Sequence, residues 1–350
     1  DKGERVRMDT TAKRTTIKDV ASRAGVSPTT VSMVMNGKPV ALPEETRARV
    51  KKAAEELHYY TDFNARAMVM GKTNIIGVIV PDISNMFFAE ALHCIQVACA
   101  ERGYDIILCN SEELAENDFR YIKLLAGRNV DGLIYSPSAE SLTEENIAKI
   151  KSLLQPLKLP HVFFDRFYSE KEPYVVVDNE ESSYRAARYL IEAGHRKIGA
   201  IAGPLTLNSS RNRLEGLRRA LAEAGESLPD NMIVTGKYDY ETGRTGGEKL
   251  IKEGASAIFA FSDMQAYGVY ESAKELGVKI PEDLSVFGFD DTFYSSLLET
   301  PLTTMRQPVK TLAEEACRVI LDLIEGKKTQ RSVKLPAEIV ERKSVAVKEK

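Results

Sequence analysis

Six side chains stand where they could grip a polar ligand. Asp165 follows the apolar run Val162–Phe164, Asp290 follows Val286–Phe289, and Tyr238 follows Met232–Thr235. Phe87 and Phe88 come shortly after Ile75–Val80, and Arg213 opens a helical stretch after Ile198–Ala202. An arginine fork donates two parallel hydrogen bonds, and carboxylates accept from hydroxyls or amines. Aromatic faces cover the apolar side of a ring. The set suits a sugar or sugar derivative better than a bare anion; a purine stacked on Phe87, Phe88 and Tyr238 is the alternative. Plainer readings stand beside these: Phe87 or Phe88 as core, Asp263 and Asp291 as helix caps, Arg211 facing solvent.

Reaction chemistry finds less support. Asp165 and Asp290 could be drawn as an acid–base pair, but nothing in the chain sets their separation. There is no G-x-G-x-x-G after a strand, no phosphate loop, and no Ser/His/Asp or Cys/His set on matching loops. His58, His93, His161 and His195 lack metal-ligand spacing, so no metal and no cofactor is expected. Cys94, Cys99, Cys109 and Cys317 form no C-x-x-C pair and lie among apolar residues, as buried free thiols of a reducing compartment would. The reading is a binding protein, not an enzyme.

The elements that would carry these residues follow from periodicity. Ile17, Val20, Ala21 and Ala24 share one helical face, with Thr16 as N-cap, Asp19 three residues on, and Gly25 as the stop. Ser27 caps a second helix with Pro28 at its first position; Val31, Val34 and Met35 face inward, and Asn36-Gly37 ends it. A third helix is expected from about Pro43 to Leu57. Two helices joined by Gly-Val-Ser with small Ala21 at the crossing read as a helix-turn-helix. Residues 61–73 read as a weakly helical linker. Beyond it, short apolar strands alternate with amphipathic helices, the arithmetic of parallel sheets. A further strand-like run at Tyr174–Asp178 divides this body into similar halves, which would bind a ligand at their strand ends.

Charge agrees with that division. Residues 1–73 carry 14 Lys/Arg against 9 Asp/Glu, whereas residues 74–350 carry 34 against 42. A basic head on an acidic body points to a polyanionic partner for the head. No apolar run reaches the roughly 18 residues of a membrane helix, and the N-terminus has no apolar signal stretch. A cytoplasmic protein, nucleoid-associated when on DNA, is expected. Residues 1–7 precede Met8 and are left out of the fold argument.

The run from Thr16 to Asn36, TIKDVASRAGVSPTTVSMVMN, resembles the head of the lac/gal/purine repressor family. So do Glu45-Thr46-Arg47, the stretch from Gly71 to Asp82, Val130–Ile134, Gly194-His195-Arg196, Arg213–Gly216, Gly288–Asp291 and Pro301–Thr304. The resemblance implies an all-α helix-turn-helix head and an α/β periplasmic-binding-protein-like sensor of two parallel-sheet subdomains. The expected division is a disordered extension at 1–14, the DNA-binding domain at 15–60 and a hinge at 61–73. The sensor N-subdomain takes 74–176 plus 306–335, and the C-subdomain 177–305 plus 336–345. Crossings are implied near Val177, Thr303–Arg306 and Leu335.

The family also implies a homodimer on a pseudo-palindromic double-stranded operator, probing it through Thr16, Ser27, Pro28, Thr29, Thr30, Ser32, Met33, Asn36 and Met68. Pro28, Thr29 and Met33 match base-reading positions; Thr30 and Ser32 suit phosphate oxygens. Met33 stands where relatives carry a polar or basic residue, so the bidentate guanine contact is missing. Met68 matches the hinge leucine that wedges into the minor groove, with Thr61 and Asp62 in place of the usual proline and asparagine. Packing of Met68, Val69 and Met70 on the sensor is the alternative. Phe87, Phe88, Asp165, Arg213, Tyr238 and Asp290 match effector-contacting positions, and Ser262 stands where many relatives have asparagine. A solute-binding protein of a transporter shares this body fold, but the helix-turn-helix argues against it.

Overall fold

A computed structural model of the chain describes residues 15–35, 42–59, 71–328 and 332–348. Asn36 and the stretch holding Thr61, Asp62 and Met68 lie outside the described residues. The chain divides into two units, one up to Thr73 and one from Asn74.

Among the described residues the head holds three helices: α1 (Ile17–Ala24), α2 (Pro28–Met35) and α3 (Glu44–Glu56). Asp19 Oδ2 accepts from the Thr16 backbone N–H at 2.8 Å and from its hydroxyl at 2.7 Å, tying down the start of α1. Gly25 ends α1 at φ 67°, a left-handed conformation that needs no side chain. The Val26 N–H then reaches back to the Ala21 carbonyl at 3.0 Å. Ser27 Oγ accepts from the Thr30 N–H at 3.1 Å and starts α2. Val20, Ala21, Ala24, Val31, Val34, Val50, Ala53 and Ala54 close into one small core. Ile17 and Leu57, expected to face inward, are only half-buried at its rim.

The sensor holds two six-stranded sheets. The first contains β1 (Ile75–Val80), β2 (Asp105–Asn110), β3 (Gly132–Tyr135), β4 (His161–Phe164), β5 (Tyr174–Val177) and β11 (Ser332–Leu335), all parallel. The second contains β6 (Ile198–Ala202), β7 (Ile233–Thr235), β8 (Ala257–Ala260), β9 (Ser285–Asp290), β10 (Thr303–Arg306) and β12 (Glu338–Val340). Only β12 among these strands runs antiparallel, at an edge. Strands such as Ile75–Val80 and Ile198–Ala202 are buried almost throughout, as expected where helices cover both faces of a parallel sheet.

Helices α4 (Met86–Ala100), α5 (Ala115–Gly127), α6 (Glu144–Leu157) and α11 (Val309–Ile324) pack with the first sheet. Those packing with the second are α7 (Asn179–Glu192), α8 (Asn208–Glu223), α9 (Tyr240–Lys252) and α10 (Asp263–Glu275). The chain passes between the sheets after Val177, after Arg306 and after Leu335. One element starts earlier than its sequence suggests. Helix α8 begins at Asn208, so Arg213 does not open it but stands in its second turn. Among the described residues no helix is long and apolar enough to cross a membrane.

Candidate functional site

The seven residues expected to contact an effector line one cavity. Phe87, Phe88 and Asp165 come from the first subdomain; Arg213, Tyr238, Ser262 and Asp290 come from the second. Four further residues share the lining: Asn85, Arg166, Ser209 and Gln307. The cavity lies at the carboxyl ends of strands. Asp165 directly follows β4, Asp290 is the last residue of β9, and Gln307 lies in the crossing after β10.

Each polar side chain has a defined setting. Arg213 is buried, with Nε donating to Asn179 Oδ1 at 2.8 Å and Nη1 donating to the Phe261 carbonyl. Its guanidinium lies 3.5 Å from the Phe289 ring centroid. With Nε and Nη1 engaged, Nη2 is the nitrogen left for a ligand. Arg166 is buried too; its Nη1 donates to Glu113 Oε2 at 2.9 Å and to the Pro137 carbonyl at 3.2 Å. Gln307 Nε2 donates to Asp290 Oδ1 at 2.6 Å. The Phe87 and Phe88 rings meet edge to face at 5.1 Å and form an apolar wall. Tyr238 lies against Gly203, and a Cβ there would run into its ring.

Not all polar atoms here are matched. Among the described residues, the Tyr238 hydroxyl and Gln307 Oε1 are buried with no hydrogen-bond partner, and Arg166 Nε, also without a hydrogen bond, faces only the Asp165 carboxylate at 3.6 Å. Leaving a buried polar group without a hydrogen bond costs roughly 1–3 kcal/mol, so a cavity that collects three of them is suited to a polar ligand. The carboxylates are perturbed as well. Burial, reinforced by the Asp263 carboxylate, pushes Asp290 up to about 8 against the pull of Arg213. Burial raises Asp165, opposed by Arg166 and Arg213.

Other side chains singled out from the sequence have structural employment. Ser262 accepts from the Gln265 N–H at 3.2 Å as the cap of α10. Asp263 is buried, accepting from Thr304 Oγ1 at 2.6 Å and the Thr292 N–H at 2.9 Å. Asp291 pairs with Arg306 at 2.7 Å and Arg342 at 2.6 Å, while Arg211 bonds the Leu205 and Thr206 carbonyls. Of the four lining residues missed, Arg166 follows Asp165 and Gln307 follows a crossing, so neighbourhood alone could have flagged them.

On the head, Thr16, Ser27, Pro28 and Thr29 are exposed, and Thr30, Ser32 and Met33 are half-buried on α2. Val31 and Val34 face the core, so Pro28 and Thr29 project from the start of α2. That is the end of a recognition helix that enters a major groove.

A helix-turn-helix head joined to a two-subdomain sensor with a polar interdomain cavity defines a ligand-responsive DNA-binding regulator. Comparison with known proteins makes this specific. Residues 16–62 match the model of bacterial regulatory proteins of the lacI family, and residues 187–345 match the periplasmic binding protein-like domain. The chain is 36% identical over 335 residues to the HTH-type transcriptional repressor PurR of Vibrio atlanticus (strain LGP32), covering 94% of this chain and 98% of the relative. It superposes on the lac repressor dimer bound to operator and the anti-inducer ONPF with a TM-score of 0.85 at 25% identity, covering 95% of this chain and 100% of the other. A complex of the transcriptional regulator CelR with cellobiose gives 0.72 at 30% identity, with coverage of 95% and 100%. The chain belongs to the lacI family of bacterial DNA-binding regulators. It is a DNA-binding transcriptional regulator with an effector cleft.

Proposed function

We propose that this regulator represses transcription as a homodimer on a pseudo-palindromic operator and is switched by a sugar or sugar derivative held in the cleft. The observation that supports the sugar is the mixed character of the buried atoms left without a hydrogen bond: Gln307 Oε1 accepts, the Tyr238 hydroxyl does either, and Arg166 Nε, 3.6 Å from the Asp165 carboxylate, donates. A polyol meets such a set because every hydroxyl both donates and accepts. Asp165 and Asp290 supply further polar contacts, the protonated Asp290 carboxyl able to donate as well as accept, and Phe87 and Phe88 cover a ring face. Likeness to a regulator solved with cellobiose supports the class, and likeness to a dimer solved on its operator supports the assembly.

On this reading Pro28, Thr29 and Met33 meet base edges and Thr30 and Ser32 meet phosphates, with Thr16, Ser27, Asn36 and Met68 completing the contact. The sensor divides into 74–176 plus 306–335 and 177–305 plus 336–345. The cavity is only about 20 Å³, far below the roughly 300 Å³ at which ligand sites begin. Entry therefore requires the subdomains to part, and this ties binding to their relative angle.

The test is a thermal-shift screen of the full chain against sugars, sugar phosphates, nucleobases and nucleosides. A folded-state ligand raises the midpoint by mass action. A neutral sugar is expected to do so. A nucleobase or nucleoside acting instead would replace the sugar by a purine-like effector and leave the regulator intact.

A further inference from the structure

A larger cavity, about 480 Å³, lies at the opposite edge of the first sheet from the cleft. It is bounded by the C-terminal half of α6, the segment leading into β5, and the last turn of α11. His161 and Pro173 stand at the starts of β4 and β5, whereas the cleft lies at strand ends. Asn74, where the sensor begins, is on this same edge.

The lining is specific in its chemistry. Lys151, Leu154, Gln155 and Lys158 recur at helical spacing, so α6 turns one face to the groove. Neither lysine has a carboxylate partner among the described residues; Lys151 lies 5.3 Å over the Tyr168 ring. Lys158 caps α6 at φ 49°, a conformation where glycine is the usual choice, which holds an ammonium at the rim despite the strain.

His161 defines the inner wall. Its Nδ1 lies 3.0 Å from the Leu159 carbonyl and so carries the proton, leaving Nε2 as an acceptor. That Nε2 is buried without a hydrogen bond and faces Glu172 Oε2 at 3.5 Å. An amino group placed between this nitrogen and the Glu172 carboxylate can donate to both when the imidazole is neutral. Leu159, Pro160 and Leu323 offer an apolar bed for a flat ring.

We propose that this groove is a second small-molecule site, for a planar amine-bearing ring with an anionic tail, of mononucleotide size. The amine bridges His161 Nε2 and Glu172, the ring lies on the apolar bed beside Tyr168, and the tail meets Lys158. A volume of about 480 Å³ accommodates such a ligand.

The experiment is calorimetric titration of the full chain with adenosine 5′-monophosphate, adenosine and benzoate. The monophosphate is expected to bind with a Kd below about 1 mM, and the two partial ligands at least about tenfold more weakly. Lys158→Ala and Glu172→Gln, both on the groove's rim, should each weaken the monophosphate about tenfold with circular dichroism unchanged. Absence of binding at millimolar monophosphate overturns the proposal, as does adenosine binding equally well. Loss of binding with Asp290→Asn but not with Lys158→Ala overturns it too, by placing the ligand in the cleft.

Discussion

Tyr238 holds its hydroxyl in a buried position where no described residue pairs with it. Burial of that group carries a desolvation cost, which on the proposed function an effector hydrogen bond offsets. Tyr238→Phe should therefore raise the thermal midpoint of the ligand-free protein while weakening effector binding by about three- to tenfold, the worth of one neutral hydrogen bond. A lower midpoint would show the hydroxyl to be structural. Asp290 makes a pH-dependent counterpart. Its carboxyl is pushed up to about 8, mainly by burial, against roughly 3.9 for an unfolded aspartate. Between those values the folded chain keeps a proton that the unfolded chain has lost, so stability falls as pH rises through the window. Asp118, Asp165 and Asp263, all raised chiefly by burial, add in the same direction. Asp290→Asn should flatten the decline of the midpoint between about pH 5 and pH 8; an unchanged slope would remove Asp290 from the account.

Helices and strands here were legible to different degrees. The start and stop of α1 could be read because Thr16, Asp19 and Gly25 act locally, through capping and a left-handed turn. Gly25 has open space where a Cβ would fall, so Gly25→Ala carries only the conformational cost, about 1 kcal/mol. Amide exchange at Val20 and Val31 should then quicken about fivefold, while amides of α8 keep their rates. The start of α8 was not legible. Asn208-Ser-Ser is as polar as a loop, yet all three residues are buried. Asn208 Oδ1 accepts from the Phe167 N–H at 3.2 Å and Ser210 donates to the Gly203 carbonyl at 2.9 Å, so tertiary contacts extend the helix back from Arg213.

The cleft joins the two sheets through few bonds. Asn208 and Phe167 link the subdomains directly, and Thr206 Oγ1 reaches the Ala139 carbonyl at 3.4 Å. On the proposed function, an effector inserted among Asp165, Arg166, Arg213 and Asp290 competes with that closure, which would make binding and subdomain angle one equilibrium. If that angle governs operator binding, the two affinities must be coupled equally in both directions. Operator affinity measured with and without saturating effector, and effector affinity measured with and without operator, should change by the same factor at fixed salt. An operator affinity that ignores the effector would disconnect the cleft from the head.

The amino-acid sequence by itself determined the class of this protein. Capping residues, glycine stops and the two hydrophobic periods act over a few residues, so the head and the alternating sensor could be located without coordinates, while the seven cleft positions came from the resemblance to the lac/gal/purine repressors. What depended on the folded chain was the meeting of distant segments. Arg166, Gln307, Asn85 and Ser209 became cleft residues only when two sheets built from interleaved stretches closed on one another. Ser262 proved to cap a helix, and three buried polar atoms were left without a hydrogen bond. Burial and pairing are sums over contacts far apart in the chain, and no local pattern carries them.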